Sequence, residues 1–357
     1  MVHRSTAWIF VLLVSVLLVG LPGESRAQET SESSFTPSTD INGYVFGDYY
    51  WMAGHHDSDI EGQNGFSIRR IYLTFDYSVA PNWSVRVRGE MNQPGDFTSG
   101  DKMTPVVKDA YVRWNSETGR HSVSLGIAPT PTWGVVEDVW GYRSVEKTAL
   151  DLYKFGSSRD FGVSAQGELD SDGLFQYHAM FANGNSNGTE FNKGKKGMLA
   201  LTLDHPSGVI AQVYGDLENG TDDGGRTTVQ GALFYEADRG RIGLQYAHQT
   251  RFRAGNDAEF DIVSMFGAAS ITSRVDAFLR YDRQFQPNPQ GPDIDYLPIA
   301  RTAEANYAVG GLDIAIRENI HFMPNIEAVF YSNPEPGVDT PDTDLVPRAT
   351  FYYRFGE

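Results

Sequence analysis

From Ile41 to the end, the chain repeats one unit: an alternating segment of about ten residues, a connector, then another such segment. In NWSVRVRGEM, residues 82–91, Trp83, Val85, Val87, Gly89 and Met91 share one parity, and Ser84, Arg86, Arg88 and Glu90 share the other. Side chains of a β-strand point alternately to opposite faces, so this segment has one apolar and one charged face. The same rhythm runs through FSIRRIYLTFDYSV, VKDAYVRW, DFGVSAQGEL, VIAQVYGDLE, TVQGALFYEAD, RIGLQYAHQTRF, RVDAFLRYDRQF and RATFYYRF. With weaker candidates between them, the count is about sixteen strands.

The connectors decide which face is wet. Short ones at 80–82, 170–173, 205–208, 239–240, 272–274 and 317–319 alternate with long, Gly-, Pro-, Asp- and Asn-rich ones at 53–65, 92–104, 129–158, 184–194, 286–301 and 334–345. Tight turns on one rim and long loops on the other predict an all-β fold: a transmembrane antiparallel β-barrel with lipid outside and water inside. A soluble sandwich has no reason to sort its loops in this way. The mean hydropathy of −0.36 does not oppose a barrel, because only half of each strand faces lipid. Tyr49, Tyr50 and Trp51 at the end of the first strand, and Tyr77 and Trp83 around the first short turn, suit a membrane–water boundary.

The first residues give the address. Arg4, an apolar run from Ala7 to Leu21, and small residues at Ser25 and Ala27 have the layout of a cleavable secretory signal. The expected organisation is a signal peptide over 1–27, a flexible lead-in over 28–40 and the barrel over 41–357, in a bacterial outer membrane. The chain has no cysteine, which excludes disulfides and thiolate metal sites. A net charge of −17 argues against nucleic acid as a partner.

NGFSIRRIYLTFDYSVAPNWSVRVRGEM, VVKDAYVRW, SLGIAPTPTWGVVEDVW and SSRDFGVSAQGEL resemble the phosphate-selective porin O/P family in order and spacing, over roughly residues 64–170. The pair Arg69–Arg70 and the run Lys108-Asp109-Ala110-Tyr111 are the most specific pieces. The resemblance implies a sixteen-stranded channel, a homotrimer, and loops folded inward to narrow the pore. Its phosphate-specific members use a lysine cluster and an arginine ladder. This chain is acidic and shows no clustered lysines on its strands, so the departure favours weak anion preference over phosphate selectivity.

Inward parity gathers Arg70, Arg86, Arg88 and Arg113, with Asp76, Glu90 and Asp109 among them, into one patch of wall. Such a patch either attracts anions or is braced by mutual pairs. Residues 129–158 form the longest connector, with a helical patch expected from about Val145 to Phe155. The resemblance makes it the constriction loop, the third of the long loops, with Arg143, Lys147, Glu137, Asp138, Glu146 and Asp151 facing the basic wall.

Acidic clusters at Asp57, Asp59 and Glu61, at Asp222 and Asp223, at Asp293 and Asp295, and at Asp339, Asp342 and Asp344 are expected on outward loops. They read as solvated surface rather than as calcium or lipopolysaccharide-bridging sites. His55-His56-Asp57 offers the only conceivable chemistry of a rival barrel enzyme, a surface protease or lipase. A non-conducting structural or adhesion barrel is the other rival. The expectation is a porin for small hydrophilic or anionic solutes, surrounded by outer-membrane lipid and lipopolysaccharide, with no catalytic residue, cofactor or metal.

Overall fold

The computed structural model describes residues 35–220, 224–253 and 256–356. The signal peptide expected over 1–27, and Asp222 and Asp223, lie outside the described residues. The unit from Pro37 onward is one closed antiparallel barrel. Its strands are β1 (Ser38–Trp51), β2 (Asn64–Ala80), β3 (Trp83–Asn92), β4 (Thr104–Asn115), β5 (His121–Pro129) and β6 (Arg159–Glu168). Then come β7 (Phe175–Ala182), β8 (Lys195–Asp204), β9 (Val209–Asn219), β10 (Arg226–Ala237) and β11 (Gly240–Arg251). The circle is completed by β12 (Ala258–Thr272), β13 (Val275–Gln284), β14 (Glu304–Arg317), β15 (Ile320–Ser332) and β16 (Asp344–Phe355). Each strand pairs with the next in sequence, and β16 returns to β1 with Gly43 opposite Phe355 and Tyr50 opposite Arg348. Closure removes both sheet edges, which satisfies every strand's hydrogen bonds without water. The first strand takes in Ser38, Thr39 and Asp40, which were expected to belong to the lead-in.

The alternation resolves as the sequence predicts. Leu73, Phe75, Val87, Leu125, Val213, Leu244 and Ile326 are exposed on the outer face. Tyr72, Thr74, Glu90 and Asp109 are buried on the inner one. At the long-loop rim Tyr49 meets Phe66 edge to face, centroids 5.0 Å apart. At the other rim Trp83 lies in register with Trp114.

Two bulges break the parity where it matters. Against β1 the register passes from Phe46–Arg70 to Gly47–Ile68, leaving Arg69 as the extra residue. Against β3 it passes from Arg88–Asp109 to Gly89–Val107, leaving Lys108 extra. An extra residue turns two neighbours toward one face. Arg69 with Arg70, and Lys108 with Asp109, therefore all project inward, where they pair with neighbours along the inner wall and on the infolded loop.

The connector 130–158 folds into the barrel. It carries α1 (Gly134–Trp140) and the single turn α2 (Ala149–Leu152). Only α2 falls in the stretch expected to be helical. α1 lies earlier and stops at Gly141, whose φ of 71° is left-handed and whose missing Cβ leaves room for the Arg241 guanidinium. Arg241 donates to the Trp140 carbonyl at 3.1 Å, placing a cation at the helix C-terminus.

The loop is held by an apolar core. Trp133, Val136, Trp140, Leu150, Leu152 and Phe155 pack on Phe234, Ile262, Phe266, Phe278, Tyr307 and Val329 from the inner faces of β10 and β12–β15. Each fully buried side chain of this kind contributes about 1.5–3 kcal/mol. Part of the inner wall is thus apolar, which the expectation of a wet lumen did not include. A second connector, 285–303, also folds inward, and its Ile294, Leu297 and Ile299 join the same core. Only the third long loop was expected there.

Candidate pore constriction

The polar face of the infolded loop looks across the lumen at β2–β6, where the arginines stand. Arg86 makes a bidentate pair with Asp76, at 2.7 and 2.8 Å, along one cross-strand register. Arg88 donates to Thr74 Oγ1 at 2.8 Å and reaches Asp109 at 3.5 Å. Arg159, from the start of β6, pairs with the same Asp109. Arg113 donates to Ser124 Oγ at 3.0 Å and lies over the Tyr111 ring, its carbon 4.9 Å from the centroid. Among the described residues no carboxylate stands within ion-pair distance of Arg113. On the loop, Arg143 reaches Glu137 at 3.5 Å and Asp151 at 3.9 Å.

Exposure divides the residues singled out from sequence. The side chains of Arg86, Arg88 and Arg143 keep 31%, 17% and 19% of their surface, so they line water. Arg113 is also half-buried. Arg70, Glu90, Asp109 and Lys147 are buried and brace the wall. Arg70 sits 3.1 Å from Glu90 and 3.5 Å from Asp295, Lys108 is 2.8 Å from Glu90, and Lys147 is 3.2 Å from Asp295.

The charged residues of the loop are mostly met by partners of opposite sign. Glu146 does reach the wall, where it pairs with Arg69 of β2 at 2.9 Å. Glu137 and Asp151 are taken by Arg143 of the same loop. Burial pushes the Glu137 carboxyl above its ordinary value, with Arg143 opposing. Asp138 is exposed and lines a lumen cavity together with Arg113.

Two acidic assignments need correction. Asp295 is not on an outward loop: it is a lumen residue between Lys147, Arg70 and Lys154. Asp344 is fully buried at the start of β16, bonded to His56 rather than to solvent. Asp57, Asp59, Glu61, Asp293, Asp339 and Asp342 are exposed as expected.

Sequence reasoning missed Lys108, Arg159, Asp295 and Tyr296 as neighbours of the site. Tyr296 accepts from Arg70 at 2.8 Å and lies under both Arg69 and Arg70. The doubled charges Arg69–Arg70 and Lys108–Asp109 were the available sign, since two charges in succession on a strand require a bulge if both are to avoid lipid. Toward the short-turn rim the lumen opens into a cavity of about 520 Å³, lined by Arg113, Arg120, Asp138, Glu168, His178 and Gln212 among others.

Solved structures share the fold of this closed barrel. The anion-selective porin from Comamonas acidovorans matches with a TM-score of 0.66 at 11% identity, over 90% of this chain and 100% of that one. The outer membrane channel DcaP of Acinetobacter baumannii matches at 0.63 and 14%, over 92% and 100%. OmpT of Vibrio cholerae, an outer membrane protein solved in a trimer form, matches at 0.59 and 12%, over 90% and 100%. The fold is a porin fold. No family model and no curated protein matches the chain by sequence, so the resemblance to the phosphate-selective O/P family reaches as far as porin architecture.

Proposed function

We propose that this porin-fold chain is a bacterial outer-membrane channel for passive diffusion of small hydrophilic solutes, with a weak preference for anions. The observation that carries the preference is the charge balance of the open passage. Arg88 and Arg159 share one carboxylate, Asp109, and Arg113 has only a hydroxyl and a ring. Positive potential is left over where the passage is narrow and its walls are of low dielectric, which concentrates anions. The lysines nearest the passage, Lys108, Lys147 and Lys154, are each occupied by Glu90 or Asp295, which speaks against a dedicated phosphate site.

The long loops would face outward and the short turns the periplasm, following the asymmetry of outer-membrane barrels. The trimer form of the similar Vibrio protein supports a homotrimer. The exposed apolar belt fits outer-membrane lipid and lipopolysaccharide acyl chains. Planar-bilayer recording of the purified protein in a salt gradient tests the reading. We expect ohmic channels whose reversal potential shows a weak anion preference. A protein that inserts without conducting would instead be a structural barrel.

A further inference from the structure

We propose that His55, His56 and Asp344 form a binding site for a divalent transition-metal ion, of which zinc or nickel is the type. The pair of histidines lies in the connector after β1, and Asp344 opens β16, almost the whole chain away. An isolated bridge between Gly54 and Leu345 lays the connector beside β16 and brings them together. The candidate ligand atoms all lie within 4.8 Å of one another. The His56 Nδ1 is 2.9 and 3.1 Å from the two Asp344 oxygens, and the two imidazoles stack with centroids 4.3 Å apart.

The Asp57 amide donates to His55 Nδ1 at 3.0 Å and His55 Nε2 faces the Pro298 carbonyl at 3.3 Å, so a metal on Nδ1 would displace the Asp57 amide while Nε2 keeps its N–H on the carbonyl. A ligating histidine commonly gives its second N–H to a backbone carbonyl in this way. Asp344 is held by the His56 amide at 2.7 Å and by the Tyr331 hydroxyl, which fixes the carboxylate.

With no metal bound, His56 Nδ1 and Asp344 share a hydrogen bond; with a metal on Nδ1, the ring would carry its N–H on Nε2 instead. Zinc–nitrogen bonds of about 2.0–2.1 Å draw ligand atoms to roughly 3.4 Å from each other. Rotation of the His56 ring, which keeps 16% of its side-chain surface and gives the site its opening, supplies that contraction. Two nitrogens and one oxygen suit zinc or nickel and not calcium or magnesium, which take six or more oxygens or hold several waters. Binding would tie the first connector to β16 at the long-loop rim.

Titration of the full chain in detergent with zinc and nickel chloride, followed by calorimetry, tests the site, with calcium chloride alongside. The expected result is saturable one-to-one binding of zinc or nickel, weakened at least about tenfold in both Asp344→Asn and His55→Gln, with no calcium binding. Heat-modifiable mobility checks that each variant forms its barrel, and if Asp344→Asn does not, His55→Gln decides. Absence of saturable binding, full affinity in the folded variants, or equal binding of calcium would each overturn the proposal.

Discussion

The guanidinium of Arg69 stands 2.9 Å from the carboxylate of Glu146, both of them buried, and joins the barrel wall to the loop that fills it. Arg69 also donates to the Val145 carbonyl at 2.6 Å and lies 3.6 Å from Asp48. A buried pair is costly to form, but removing one partner costs more, about 3–5 kcal/mol, because the other charge is left alone. Arg69→Ala should therefore loosen the loop while strand pairing still closes the barrel. Limited proteolysis within 130–158 and the current noise of single channels are the measurements, and both should rise. Wild-type resistance and quiet channels would show that the apolar core alone holds the loop.

Neighbouring residues on β3 should respond in opposite ways. Val87 is 46% exposed on the outer face, while Arg88 is bonded to Thr74 inside. Val87→Arg puts a charge against lipid and should cost roughly 2–4 kcal/mol near mid-membrane, with much reduced assembly. Arg88→Gln should assemble like the parent, because Asp109 keeps Arg159. Equal heat-modifiable yield of the two variants would contradict this facing.

The barrel was legible because period two and loop length are local properties. Strand pairing between neighbours in sequence then follows with no long-range decision except β1 with β16. The arginines of β3 were legible for the same reason. The partners that complete the site were not. Asp295 and Tyr296 come from a connector more than 200 residues away from Arg70, and nothing local shows that this connector folds inward. Phe234, Phe260, Ile262, Phe266 and Phe278 did carry a sign. They put apolar residues on the parity that should have been wet, and that excess marks the wall on which the loop packs.

Acid should release the second infolded connector. Burial alone would raise the Asp295 carboxyl, but Lys147, Lys154 and Arg70 more than offset it and hold it below its ordinary value. A carboxylate depressed in the folded state stabilises at pH above the unfolded value, about 3.9, and that contribution disappears as pH falls through the folded value. Channels should thus be steady at neutral pH and grow noisy only in strong acid. Asp295→Asn should be noisy already at neutral pH and lose the acid dependence. A variant that keeps the parent's pH profile would assign the effect to other carboxylates.

Selectivity sets two bodies of charge against each other. The chain carries a net −17, and Asp339 and Asp342 on the last long connector are exposed with their acidic neighbours. At physiological salt the Debye length is about 8 Å, so charges out on the loops are largely screened at the constriction. Arg88, Arg113 and Arg159 line a passage walled on one side by an apolar core, where screening is weaker. Arg113 is the most telling of them, since it has no carboxylate to neutralise it and its loss orphans none. Arg113→Gln should shift the reversal potential toward cations, and Arg86→Gln with Arg88→Gln should do so too, less per residue because Asp76 already offsets Arg86. Asp339→Asn with Asp342→Asn should leave it nearly unchanged. The reverse order, with the loop acids dominant, would place the selectivity filter at the mouth and remove the arginine wall from the mechanism.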